Sequence, residues 1–473
     1  MNSTTASPAA KKPGLFINRN FGLLWLGQTI SIMGDFAFSI TLVVWIYTAL
    51  AKDQPWAPLA VTGVLVATTV PMVLVGPLAG VFVDRADKRG LMMVMSVIQA
   101  VAAGALIALT GVFPIPFLAG ALPLEWTLGA VYGVVFLINA CEQFFRPAQM
   151  ALIGDIVAEE YRGRASGLLQ ASGSLAILIG PLLAPLVVVT FGVEWTLLFD
   201  ALSFVVAFVT LLAMRVPRSA RSVAQGERGH FGREFLAGLR FFFRSQVSKT
   251  ILIAGMIVLF GAGAINALDI FFVTQNLHAS IPEYGVLSGS AGIGLLLGSV
   301  LAAIFAARIG YGRVVWLSLI ALGALMVVYA RMTSLWPAVV VIVLVGVPNA
   351  ALNVAITPLL LLVTPRALVG RVMAILTPVI NVANLAGMAL AGYLASITLV
   401  DFHEEALGFT FGPVDTIFMA GGAIALLGGI YCALNLRSAV IEREHVREEP
   451  AAMPTQEPEG SLIASGVAAQ DFD

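Results

Sequence analysis

An ionisable group inside a long apolar run is expensive and marks a pathway, a proton relay or a paired network, and Asp35, Glu142, Arg146 and Asp200 are singled out on that ground. Asp35 stands about 15 residues into the first such run, roughly 22 Å along a helix, close to the middle of a bilayer. A carboxylate is hardest to keep charged there, which makes Asp35 the first candidate to take up and release a proton. The alternative is an acid that caps a helix broken at Gly34 or pairs with a neighbour. Glu142 and Arg146 are four apart, a spacing that places them on one helical face as an ion pair. Protonating Glu142 would free Arg146 to seek Asp35 or a substrate and so couple proton to conformation; a purely structural pair is the equal alternative. Asp200, in Leu-Phe-Asp-Ala-Leu-Ser-Phe, lies nearer a surface that water can reach and reads as a packing or gating group.

Other chemistries find no support. Ser248-Lys249-Thr250 lacks the glycines of a phosphate-binding loop, and no His-Glu-x-x-His or Gly-x-Ser-x-Gly stands in a supporting context. All four histidines, His230, His278, His403 and His445, lie outside the apolar runs, so no metal site, histidine relay, cofactor or enzymatic centre is expected in the membrane interior. Cys141 and Cys432 sit in apolar runs as small buried hydrophobes.

The elements that must hold these residues follow from composition. Hydrophobic residues make up 59% and charged residues 11%, with a mean hydropathy of +0.95, which points to an all-α polytopic membrane protein. The net charge of -1 argues against a nucleic-acid partner. Twelve apolar runs are long enough to span: 20–49, 59–83, 90–113, 124–148, 163–191, 195–214, 249–272, 283–308, 313–331, 336–362, 370–399 and 414–437. With both ends cytoplasmic, only Lys52 and Arg331 of the 26 basic residues fall on the outer side, the bias expected of a bacterial-type inner membrane.

The expected organisation is a polar N-terminus (1–13), a six-helix bundle (14–214), a cytoplasmic linker (215–248), a second bundle (249–437) and a disordered tail (438–473). Within the linker Phe231, Phe235, Leu239 and Phe242 recur at helical spacing between arginines, an amphipathic helix for the membrane surface. The halves read as repeats offset by about 207 residues. Arg162-Gly163-Arg164-Ala165 matches Val369-Gly370-Arg371-Val372, while Glu142 and Arg146 fall on Asn349 and Asn353. The second half thus keeps the pattern and drops most of its charge.

Between spans two and three, Gly80-Val-Phe-Val-Asp84-Arg85-Ala-Asp-Lys88-Arg89 packs five charges into a tight turn, preceded by Gly76 and Gly80 as a small-xxx-small face. This resembles the signature loop of the major facilitator superfamily of secondary transporters. The resemblance implies twelve helices in two pseudo-symmetric bundles, with Asp84 capping a helix of the opposite half in the outward-facing state and the basic residues holding a charge network. Asp155, Glu160, Arg162, Gly163 and Arg164 resemble the superfamily's loop between helices 4 and 5, which joins that network. Gly173, Gly180 and Pro181 are similar to the antiporter motif of its drug exporters, although Ala176, Ala184 and Pro185 stand where glycines are usual.

Phe-Phe-Arg-Pro-Ala at 144–148, Ala-Leu-Ile-Gly-Asp-Ile-Val at 151–157 and Asp-Ala-Leu-Ser-Phe at 200–204 look most like the branch with macrolide efflux proteins and the enterobactin exporter. The implied activity is proton-coupled export of amphipathic small molecules such as drugs, macrolides or siderophores, by a monomer in a lipid bilayer. Uptake or lipid flipping on the same fold is the alternative, and a non-transporting receptor the weakest. An amphipathic substrate calls for a lining of aromatic and amide groups: Phe36, Phe38, Trp45, Asn139, Gln143, Asp200, Asn266, Asn349, Asn353, Asn381 and Asn384 are available.

Overall fold

The computed structural model describes residues 17–83, 85–110, 123–215, 246–364, 369–402, 404–406 and 409–448. The N-terminus 1–13, Asp84 of the signature loop, the amphipathic helix expected in the linker and the tail beyond Glu448 lie outside the described residues.

Among the described residues twelve helices are long and apolar enough to cross a membrane, as the hydropathy implies, because hydrocarbon leaves a spanning backbone no hydrogen-bond partner but itself. The first half holds α1 (Arg19–Trp45), α2 (Ala57–Leu74) with the short α3 (Gly76–Val83), α4 (Lys88–Leu109), α5 (Leu124–Ile156), α6 (Glu159–Phe191) and α7 (Val193–Ala213). The second holds α8 (Gln246–Phe271), α9 (Ile281–Ile309), α10 (Tyr311–Ala330), α11 (Leu335–Val363), α12 (Val369–Tyr393) and α13 (Pro413–Glu448). Only a small antiparallel hairpin, β1 (Glu404–Ala406) with β2 (Phe409–Phe411), departs from helix among the described elements.

Several boundaries differ from the sequence reading. The second span is broken: Val75 still donates to the Pro71 carbonyl at 2.8 Å, but Pro77 has no amide to continue the ladder, and the chain restarts as α3. Helix α5 runs through Pro147 to Ile156 and α6 begins at Glu159, so Asp155 and Glu160 to Arg164 lie in helical turns, with the corner at Val157 and Ala158. Helix α13 continues to Glu448, so 438–448 is helical where a disordered tail was expected. Two corners are single glycines, Gly192 (φ +102°) and Gly310 (φ +91°), a backbone that other residues adopt only with strain.

The charged turns gather at one end of the bundle, the basic end. At the far end Trp126, Trp195 and Trp336 are more than half exposed near the starts of α5, α7 and α11, as aromatic residues at a membrane interface are. There too Arg331 reaches Asp415 at 2.9 Å and lies over the Phe411 ring at 4.7 Å, joining α10, the hairpin and α13.

The apolar core is shared at one end and split at the other. One cluster, from Phe38, Leu42 and Val188 to Phe271, Leu287 and Tyr329, draws on both halves toward the far end. At the basic end each half closes on its own cluster, around Phe21, Leu152 and Leu211 in the first and around Val315, Leu360 and Cys432 in the second.

Small residues make the far-end junction. Pro185 cannot donate to the Pro181 carbonyl, and α9 crosses α6 there. A Cβ on Gly285 would sit 2.5 Å from that oxygen, and one on Gly289 would sit 2.6 Å from Leu182 Cγ. On the other side α2 meets α12, and the Leu59 amide donates to Ser396 Oγ, in the turn Leu394–Thr398 that follows α12, at 2.9 Å. The expected Gly76/Gly80 face is not closely packed: a Cβ at Gly80 meets nothing within 4 Å, and one at Gly76 meets only Gln143 Oε1 at 3.4 Å. Both lie toward the basic end, where the halves stand apart.

Candidate functional site

The in-span charges of the first half converge from three helices. Helices α1 and α7 pack closely at Gly34, where a Cβ would stand 2.8 Å from Asp200 Oδ1 and 2.7 Å from Ser203 Oγ. Asp35, the next residue, is half-buried and within electrostatic range of Glu142, Asp200 and Arg146. Arg146 Nε donates to Glu142 Oε1 at 2.8 Å; the arginine side chain is 74% exposed and the glutamate 18%, so the guanidinium faces the opening. Because α5 extends ten residues past Arg146, the pair lies about 15 Å from the helix end, deeper than the expected boundary placed it.

Asp200 is corrected most. It is not in reach of water but 0% exposed, and neither carboxylate oxygen has a hydrogen-bond partner among the described residues. The nearby Ser203 hydroxyl donates to the Asp200 main-chain carbonyl at 2.7 Å instead. Glycine at position 34 removes the side chain that would have held the two helices apart.

The Gly-Pro segment of α6 touches the same place. A Cβ on Gly180 would stand 2.8 Å from Phe36 Cβ, so the motif sets how closely α6 approaches the residue beside Asp35; Gly173 has open space around it. Among the expected lining residues, Phe38 and Trp45 are 3% and 5% exposed and belong to the shared core that closes the far end. Asn139 and Gln143 donate to main-chain carbonyls one turn back, at 2.9 and 3.3 Å. Asn353 donates to both Asn349 oxygens, Asn381 donates to Thr377 O, and Asn266 is exposed. The Asn384 Oδ1 is buried without a partner among the described residues, beside Gly263.

The signature turn is tied into its own half. Lys88 Nζ pairs with Asp155 Oδ2 at 2.7 Å, Arg89 donates to the Leu211 and Leu212 carbonyls at 2.8 and 3.0 Å, and Arg162 donates to Gly154 O at 2.9 Å. Glu160, Arg85, Gly163 and Arg164 are exposed. These bonds fasten α4 to α5 and α7, and the corner between α5 and α6, as one block.

Sequence reasoning passed over Asp269. It is a carboxylate in the apolar run Ala-Leu-Asp-Ile-Phe-Phe, the same signal that singles out Asp35. Near the far end of α8 it accepts from Tyr329 Oη at 3.2 Å and Ser288 Oγ at 3.4 Å. Two residues on, the halves touch: Phe271 meets Tyr47 edge to face at 5.2 Å, and the Tyr47 hydroxyl donates to Thr274 Oγ1 at 2.9 Å. A cavity of about 680 Å³ lies beyond this contact, lined by both halves, with Lys52, Gln54 and Gln275 among its polar groups.

Comparison with known proteins agrees with this architecture. The nucleoside transporter NupG matches 88% of this chain and 99% of its own with a TM-score of 0.66 at 12% identity, a likeness of fold. The uncharacterized MFS-type transporter YkuC of Bacillus subtilis is 22% identical over 392 residues, 80% of this chain and 86% of that protein. Macrolide efflux protein A of Streptococcus pyogenes is 26% identical over 284 residues, 59% of this chain and 66% of that protein. Residues 13–413 match the family described as transmembrane secretion effector. With twelve spans in two halves and a match over most of its length, the chain belongs to the transmembrane secretion effector family of major facilitator transporters.

Proposed function

We propose that this chain exports amphipathic small molecules in exchange for protons by alternating access, as a monomer in a bacterial-type inner membrane with both termini in the cytoplasm. One observation carries the reading: a single apolar cluster joins the halves at the far end, while each half keeps its own at the basic end. By the positive-inside rule the basic end is cytoplasmic, so the opening faces the side from which an exporter loads. Similarity to a macrolide efflux protein and the contact of Gly180 with Phe36 support export over uptake.

In this reading substrate enters between the asparagines of α11 and α12 and the polar face of α1 and α5, with Asp35 at its centre. Binding displaces a proton from Asp35 to the cytoplasm. The halves then rock, closing the basic end and opening the far end. A proton from outside returns to Asp35 as substrate leaves, so one proton moves inward for each molecule moved out. Arg146, held by Glu142 while the site is open, is the cation that competes for Asp35 between these states. Asp200, sealed behind Gly34, lies where α7 packs against the turn of α1 that carries Asp35.

The test is proton-driven efflux in proteoliposomes, with an imposed pH gradient and a panel of fluorescent lipophilic substrates. The parent protein is expected to drive substrate against its gradient only when protons move the other way. Asp35→Asn is expected to abolish that coupling, and Glu142→Gln to weaken it. Unchanged transport in both variants would remove the proton assignment, and accumulation in the loading direction would replace export by uptake.

A further inference from the structure

We infer that Asp269, with Tyr329 and Ser288, is the latch that positions the second-half jaw of the far gate, a role that rests on the alternating-access reading above. The gate has two jaws of similar build. Helix α1 ends in the π turn Ile46–Leu50, which carries Tyr47, and α8 ends in the π turn Phe272–Asn276, which carries Thr274. A π turn is wider than an α turn and recurs at functional sites. A jaw built on one takes its position from what packs against it more than from its own ladder.

The side chains close the contact in one direction. Thr274 Oγ1 donates to the Ile270 carbonyl at 2.8 Å, which leaves its lone pairs to accept from the Tyr47 hydroxyl. The position of Thr274 therefore sets whether this hydrogen bond between the halves is made. The support comes from Asp269, immediately before Ile270. One carboxylate oxygen takes the Tyr329 hydroxyl of α10 and the other takes Ser288 of α9. Tyr329, so oriented, lies 4.7 Å from the Phe272 ring, and both rings meet Phe418 of α13, at 6.1 and 5.3 Å. All three rings are almost wholly buried.

Rings from α10 and α13 thus bear on Phe272, the first residue of the π turn, α9 holds Asp269 just before it, and the adjoining Phe271 bears on Tyr47. A carboxylate suits this place because it offers acceptors on two sides, whereas an amide would turn its donating face toward one hydroxyl. Loss of the Tyr329 hydrogen bond frees that ring to turn, Phe272 to follow and Thr274 to leave Tyr47, which opens the far end.

Spin labels at Lys52→Cys and Asp401→Cys, exposed far-end positions on opposite halves, report the width of the gate by double electron–electron resonance. The two buried native cysteines are replaced by serine in every variant. The parent is expected to give mainly one short distance. Asp269→Asn and Tyr329→Phe are each expected to shift the ratio of long to short populations about ten-fold, the size of one lost hydrogen bond to a charged group. Tyr329→Phe keeps the ring in its stack, so it tests the hydroxyl in a protein whose packing is retained.

An unchanged distance distribution in both variants overturns the latch, as does a fall in thermal stability without a shift in distance, which is what a merely structural hydrogen bond would produce. The distance needs no substrate. Failure of parental protein to move any substrate against a proton gradient would therefore sink the export reading and leave this result standing.

Discussion

Asp200 and Asp269 are carboxylates on consecutive spanning helices, α7 and α8, yet their surroundings are opposite. Asp269 accepts from two hydroxyls on two neighbouring helices. Asp200 is fully buried with both oxygens unpartnered among the described residues, against a glycine that lets α1 come close. Folding satisfies nearly every buried polar group it can. A carboxylate supplied with donors reads as a strut whose position matters, whereas an acid buried without them is a place where stability has been given up. The halves differ in the same sense: the first concentrates Asp35, Glu142, Arg146 and Asp200, while the second presents asparagines where Glu142 and Arg146 would repeat and sets its acid behind a gate.

The contrast breaks most readily on the two acids. Asp269→Leu leaves the Tyr329 and Ser288 hydroxyls without an acceptor and is expected to cost about 2–4 kcal/mol. Asp200→Leu removes a buried unpaired acid and is expected to leave stability within about 1 kcal/mol of the parent or above it, while coupled transport falls at least about ten-fold. Thermal unfolding followed with a thiol-reactive dye reads both, since Cys141 and Cys432 are buried, one in each half. Equal destabilisation by the two substitutions would erase the distinction.

A smaller effect sharpens the Asp200 side. Gly34→Ala puts a methyl 2.8 Å from Asp200 Oδ1 and 2.7 Å from Ser203 Oγ, overpacking expected to cost about 1–3 kcal/mol and to change the proton dependence of transport by moving Asp35. The same substitution at Gly80, where a Cβ meets nothing within 4 Å, is expected to leave thermal stability unchanged. If Gly34→Ala has parental stability and pH dependence, the close α1–α7 contact does not govern the site.

The smallest effect concerns the signature turn. Lys88 and Asp155 are 2.7 Å apart but each is about a third exposed, so Lys88→Ala is expected to lower stability by less than about 1 kcal/mol. Its unfolding temperature should converge on the parent's at high salt. A larger or salt-insensitive loss would mean that the pair fixes the first half as a block more firmly than its exposure implies.

Much of this was legible in residue order. Long apolar runs between charged turns mark spans wherever hydrocarbon forbids an unpaired backbone, and the Glu142 to Arg146 spacing is fixed by the helix itself. Helix ends were less legible. The fourth run was read to stop at 148, but the helix passes through Pro147 to Ile156, while a break before Pro77 divides a span that read as continuous. Asp269 carried as clear a signal in the sequence as Asp35, but its partners come from α9 and α10, and no spacing within α8 points to them.

What the sequence determined by itself is the number of spans, the clustering of basic charge at one end and the residues that are costly to bury. Those follow from local chemistry, one side chain and one helical turn at a time. Which carboxylate meets a donor, which meets only a glycine, where Phe38 and Trp45 pack, and which end of the bundle is closed were decided by tertiary structure. The physical reason is that spanning helices are apolar on every side, so no amphipathic stripe in the sequence announces which face turns toward a neighbour. Only the meeting of α1 with α7, and of α8 with α9 and α10, assigns those faces.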